Sequence, residues 1–122
     1  MRTTADIALS YTAMLRLRQF VAAGEAFWAD DVTSLEPADL PGGVAAVASG
    51  IEATRAKYNA RFGGMRIDDL SIDGPFVTGN QFALFMDMMI TGGVGEASQP
   101  FAEIAVFTVL DGRISEERYF YA

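Results

Sequence analysis

The chain has 122 residues, 51% hydrophobic and 20% charged, and contains neither cysteine nor histidine. That apolar content excludes intrinsic disorder, and a chain this short buries about two-thirds of its unfolded surface, enough for one core, so residues 1–122 read as a single domain. Without cysteine there is no disulfide scaffold, thiolate metal site or Cys nucleophile; without histidine, Ser-His and Cys-His catalysis and most zinc sites fall away. No metal or cofactor is expected, and any chemistry rests on carboxylates, phenols, amides or the shape of a cavity.

The net charge of −7 and an isoelectric point near 4.4 repel phosphate backbones, and no Lys/Arg run offsets this, so nucleic acid is not an expected partner. Arg55, Lys57 and Arg61 read as a solvated helix face. The opening Met-Arg-Thr-Thr-Ala-Asp has no signal-like apolar run. The longer apolar stretches are broken by Asp87, Glu103 or Thr108, so no bilayer span is expected and a cytoplasmic location is the default.

Thr3 or Thr4 can cap a first helix with Asp6 in its first turn. Ile7, Tyr11, Met14 and Leu15 form one apolar face, which Leu17, Phe20 and Val21 widen. A short second helix is expected over 22–29, carrying Phe27 and Trp28 and stopping at Asp30-Asp31. Val32 to Glu36 reads as a strand; the Pro, Gly and Ala content of 37–50 suits neither helix nor strand and suggests a flap. A third helix runs from about Ile51 to Phe62, ending at Gly63-Gly64.

Beyond Gly64 the pattern turns extended. Residues 65–73 form one strand, with a slip between Ile67 and Leu70 that hints at a bulge. Residues 81–91 form a second, apolar on both parities except for Asp87, which reads as an outer-face residue. A loop over 92–99 follows, whose Gly92-Gly93-Val94-Gly95 opens no helix and so is no phosphate loop. Residues 100–110 and 113–121 make a hairpin around Asp111-Gly112. Strands apolar on both faces are covered on both sides, by helices and by a second subunit. Three helices followed by a run of antiparallel strands give an α+β fold.

Within the hairpin, Glu103 interrupts an otherwise buried strand, Phe101-Ala102-Glu103-Ile104-Ala105-Val106-Phe107. A buried carboxylate must be paired, neutral or exposed to a cavity. A three-residue turn pairs Glu103 with Tyr119 and sets Glu117 and Tyr121 on the same face; a two-residue turn pairs it with Phe120 and turns Tyr119 away. An ion pair with Arg118 of a second subunit is the alternative role for Glu103.

Phe27-Trp28-Ala29-Asp30-Asp31-Val32-Thr33, Glu36-Pro37 and Ser49-Gly50-Ile51-Glu52-Ala53-Thr54-Arg55-Ala56-Lys57-Tyr58 together resemble the nuclear-transport-factor-2-like superfamily, most closely its SnoaL-like members, relatives of polyketide cyclases and ketosteroid isomerase. Asp111-Gly112-Arg113-Ile114 and Glu117-Arg118-Tyr119-Phe120-Tyr121 resemble the end of that domain. The resemblance implies a cone-shaped fold, three N-terminal helices packed on a curved, mostly antiparallel sheet around an apolar pocket, and a homodimer through the sheet's outer face. It implies a small apolar ligand, handled either by an isomerase, cyclase or lyase acting on a carbonyl compound or by a non-catalytic binding or accessory module.

In this likeness Glu36 matches the isomerase's general base, also set before a proline, with a reach longer by about 1.5 Å. The isomerase's Tyr and protonated Asp donors fall on Thr12 and Ala105, which cannot replace them, while Tyr11 lies about 100° round the helix. The likeness favours the three-residue turn, hence Glu103 as a second acid and Tyr119 as donor, with Glu117 and Tyr121 also facing the pocket. It makes Trp28 and Tyr58 pocket aromatics and turns Leu84, Met86, Met88 and Ile90 inward, a wall suited to an irregular apolar ligand.

Overall fold

In the computed structural model, which describes residues 2–92 and 96–122, α1 spans Thr4–Arg16 behind the cap at Thr3. The Thr3 hydroxyl accepts from the Asp6 amide at 3.1 Å while the Asp6 carboxylate accepts from the Thr3 amide at 3.2 Å, a closed capping box. Ile7, Ala8, Tyr11, Thr12 and Leu15 form its buried face. The helix stops earlier than its apolar pattern suggests: Arg18 takes a left-handed φ of 62°, and Leu17 is 70% exposed and does not widen the core face. Arg16 ties the helix end down by donating to the Ile72 and Gly74 carbonyls, each at 3.1 Å.

The second helix, α2, covers Phe20–Phe27 and passes straight into β1, Trp28–Leu35, so Trp28 opens a strand where a helical residue was expected. Gly24 makes that junction possible, because a Cβ there would lie 2.2 Å from Trp28 Cζ2. The expected flap contains a short strand, β2 (Val47–Ser49), paired antiparallel with β1, and a Leu40–Val44 bridge. Then come α3 (Ile51–Phe62), β3 (Arg66–Thr78), β4 (Gln81–Thr91), β5 (Gln99–Leu110) and β6 (Arg113–Phe120). The loop expected over 92–99 includes 93–95, which lie outside the described residues.

Six strands form one curved, unclosed sheet in the order β2-β1-β6-β5-β4-β3, with β1–β6 the parallel pair. The slip anticipated in β3 is a register shift between Ile67 and Asp69. A second shift, between Asp73 and Phe76, lets the strand run on to Thr78. One core lies between the helices and the concave face, built on Tyr11, Phe27, Trp28, Phe82, Leu84 and Phe107. This is the α+β architecture expected.

The β5–β6 hairpin follows neither expected register. Leu110 pairs with Arg113 across Asp111 (φ 52°) and Gly112 (φ 74°), a two-residue turn with both central φ angles positive. The ladder then shifts: Val109 faces Ile114, but Thr108 faces Glu116, so Ser115 is an extra residue on β6. The bulge restores the parity that the tight turn would have reversed. Ala105 therefore faces Tyr119 and Phe107 faces Glu117, and the register carries Glu103 level with Tyr121 rather than Tyr119. Glu103, Glu117 and Tyr119 are all buried on the concave side.

Gly24→Ala should destabilise the fold by about 1–3 kcal/mol, the usual cost of overpacking, read as a lower urea midpoint. An unchanged midpoint would show that the Trp28 ring can move aside.

Candidate functional site

The concave side holds a buried polar network at the foot of α3. Glu117, fully buried on β6, accepts from Trp28 Nε1 at 3.1 Å and from Ser34 Oγ at 2.7 Å. The Ser34 hydroxyl in turn accepts from Lys57 Nζ, which also donates to Glu36 Oε2 at 3.2 Å. The other Glu36 oxygen takes Arg61 at 3.1 Å and the Tyr121 hydroxyl at 3.1 Å. Arg61 reaches on to Glu103 Oε2 at 2.5 Å. Two carboxylates thus share two cations and a third joins them through Ser34, all with side chains no more than 10% exposed.

Local structure explains each position. Glu36 follows β1 and is fixed by its amide, which donates to the Ala46 carbonyl at 2.8 Å. Lys57 and Arg61 lie four residues apart on α3, one turn, sharing the face of Thr54 and Tyr58. The solvated reading of that face is therefore corrected: only Arg55 behaves so, paired with Glu25 at 2.6 Å with both side chains substantially exposed. Glu103 pairs with Arg61 of its own chain, and Arg118 lies 3.7 Å from Glu116.

The phenols form a second layer. The Tyr58 and Tyr119 hydroxyls are hydrogen-bonded to each other, and the Tyr11 phenol lies fully buried nearby, its ring edge-on to Phe107 at 5.0 Å. Burial, reinforced by neighbouring carboxylates and, at Tyr11 and Tyr119, by neighbouring phenols, holds all three well above the ordinary phenol range, so they stay protonated; at Tyr58 the hydrogen bond with Tyr119 opposes the rise. Tyr121 is pushed up to about 12, by burial and then by Glu36. Burial also raises the carboxyl groups of Glu103, against the pull of Arg61, and of Glu117, against its Ser34 and Trp28 hydrogen bonds. Burial lowers Lys57, with Glu36 opposing.

Two spaces meet at Arg61. An outer cavity of about 340 Å³ is walled by Leu40, Met65, Met88, Ile90, Phe101 and other apolar groups, with Arg61 and Tyr121 as its polar side chains. A cleft of about 10 Å³, room for a single water, lies deeper among Tyr58, Met86, Glu103 and Tyr119. Arg61, Phe62 and Met88 line both and form the partition between them.

The expected site residues therefore divide. Glu103, Tyr58, Tyr119 and Met86 line the inner cleft, Tyr121 lines the outer cavity, and Met88 lines both. Trp28 and Glu117 lie behind, bonded to each other. Glu36 is buried, with donors on both oxygens, and lines neither space. Lys57, Arg61 and Ser34 were missed. The available signal was the spacing of Thr54, Lys57, Tyr58 and Arg61, one helix face that an aromatic already marked as inward.

The chain belongs to the SnoaL-like domain family, whose model matches residues 2–121. A structure provisionally assigned as a SnoaL-like polyketide cyclase, from Mesorhizobium loti, shares 33% identity over 98% of this chain and 100% of its own, with a TM-score of 0.89. A nuclear-transport-factor-2-like protein of unknown function from Burkholderia pseudomallei (17% identity, 100% and 92% covered, TM-score 0.77) has the same fold. So does a protein of unknown function with a cystatin-like fold from Xanthomonas campestris (20%, 99% and 92%, TM-score 0.76). No curated protein sequence matches the chain. No described helix is long and apolar enough to cross a membrane.

Because folding raises the Glu103 and Glu117 carboxyls, the native state holds protons that the unfolded chain has released above the ordinary carboxylate range. Stability should then fall as pH rises above that range. Thermal melts from about pH 5 to about pH 8 should show this decline, and Glu117→Gln should flatten it. Equal slopes in both proteins would remove Glu117 as a source.

Proposed function

We propose that this protein is an enzyme of the isomerase or cyclase type, moving a proton on a small apolar carbonyl compound with Glu103 as the transferring carboxylate. Membership in the SnoaL-like family supports the class of chemistry. The observation that carries the residue assignment is the environment of Glu103. Its Oε2 is held by Arg61, no hydrogen bond among the described residues reaches its other oxygen, and it lines the inner cleft beside the Tyr58–Tyr119 pair.

Burial raises that carboxyl toward the range a general base needs. The carboxylate takes a proton from the carbon next to the carbonyl, and the negative charge develops on the carbonyl oxygen. A Tyr119 or Tyr58 hydroxyl donates to that oxygen, a phenol kept protonated for the purpose. Glu36 orients Lys57 and Arg61 rather than meeting substrate, and Trp28, Ser34 and Glu117 support it from behind. The reacting end passes the Arg61–Phe62–Met88 partition while the apolar body stays in the outer cavity against Met88 and Tyr121.

Solvent-deuterium exchange at the α-carbon of 2-tetralone, followed by NMR, tests this reading. The wild-type protein should accelerate exchange, Glu103→Gln should remove about 10²-fold or more of the acceleration, and Tyr119→Phe should remove less. Exchange indifferent to Glu103→Gln would sink the assignment. The closed inner cleft favours the alternative, a non-catalytic binder using the outer cavity alone; ligand-induced thermal stabilisation without turnover, surviving Glu103→Gln, would select it.

We also propose a homodimer through the convex face. Phe85, Ile104 and Phe120 stand in register across β4, β5 and β6, exposed by 37%, 44% and 49%. Such an apolar row on a sheet face suits a second copy of the chain. Ile104→Glu should convert a dimer to a monomer in sedimentation velocity, and a monomeric wild type would overturn the proposal.

A further inference from the structure

Among the described residues the outer cavity has one charged group in its wall, Arg61, and that group has hydrogen-bonding capacity left over. The Arg61 guanidinium uses one terminal nitrogen on Glu36 and the other on Glu103. Of its five N–H donors, three have no partner among the described residues. Four rings, Phe62, Phe101, Tyr119 and Tyr121, stand 5.0–5.4 Å from the guanidinium carbon and hold it in place.

A neutral apolar ligand in the cavity would cut those N–H groups off from water and supply no acceptor, which is costly. A planar monoanion supplies two acceptor oxygens in the fork geometry that a guanidinium matches. A dianion would exceed the single cation that the described residues place in the wall.

We propose that the outer cavity binds a small planar aromatic carboxylate, its ring among Phe62, Met65, Met88 and Phe101 and its carboxylate on the free N–H groups of Arg61. This rests on the ligand-pocket reading above and adds to it a selection for one negative charge.

A proton is linked to that charge. Glu103 faces Arg61, Lys57 and Tyr58 on α3, Glu36 after β1, Tyr11 on α1, and Tyr119 and Tyr121 at the end of β6; from β4 it faces the uncharged Met86. A second anion on Arg61 weakens the guanidinium's hold on the Glu103 carboxylate, already raised by burial, and favours its protonation. Ligand binding then takes up a proton, and affinity falls as pH rises.

Isothermal titration calorimetry of the full chain with 2-naphthoate and its neutral analogue 2-naphthamide tests this, at about pH 6 and about pH 8 in buffers of different ionisation enthalpy. Naphthoate should bind at least about tenfold tighter than the amide, tighter at the lower pH, with proton uptake. Arg61→Gln should abolish the preference while keeping amide binding, and Glu103→Gln should keep the preference but lose its pH dependence. If Arg61→Gln does not fold, the wild-type and Glu103→Gln titrations decide. Equal binding of the two compounds by the wild type, or a preference surviving Arg61→Gln, overturns the charge selection and leaves the pocket reading intact. If neither compound binds, both fall.

Discussion

Arg61 is the joint on which the interior turns. Its two terminal nitrogens connect the carboxylate after β1 to the carboxylate on β5, and so fasten the foot of α3 to distant parts of the sheet. Removing water from five ionisable side chains costs several kcal/mol per ion unless they satisfy one another. Here they do so in sequence, Glu117 through Ser34 to Lys57, then Glu36, then Arg61, then Glu103. Each cation holds more than one partner, so the network is a constraint on the position of the helix as well as a source of charge.

That arrangement also sorts the carboxylates. Glu36 is bound by two cations and a phenol, Glu117 by an indole and a hydroxyl, and Glu103 alone of the three has an oxygen that no hydrogen bond among the described residues reaches. Three acids of the same kind acquire different chemistry because different numbers of donors converge on them. The family likeness pointed first to Glu36, since position in the chain is what a likeness transfers. The count of donors around a carboxylate is a property of the folded state.

The fold was legible because it rests on periodicity. The capping box at Thr3, the change of period after Gly64 and the slip near Ile67 are local signals with local causes. Where local signals conflicted, the sequence misled. Leu17 to Val21 continue an apolar helix, yet the backbone turns at Arg18 so that α2 can pack across α1. The burial of Lys57 and Arg61 was hidden because charge on a helix reads as solvent contact unless its partners are known, and those partners lie 21 to 42 residues away in sequence.

The bulge at Ser115 makes backbone geometry, as well as residue identity, a determinant of the interior. With the same residues and an unbroken ladder, Thr108 would face Ser115 and every side chain of β6 beyond that point would change sides: Glu117 and Tyr119 would pass to solvent, and Arg118 and Phe120 would enter the core. A substitution at this edge can be graded by size or polarity. Deleting Ser115 has a different result: Ile114 still faces Val109, Glu116 falls opposite Thr108, and every later residue keeps its side. The bulge therefore holds the one residue that the tight turn makes surplus, and a relative with one residue fewer between the turn and Glu117 keeps this interior with an unbroken ladder.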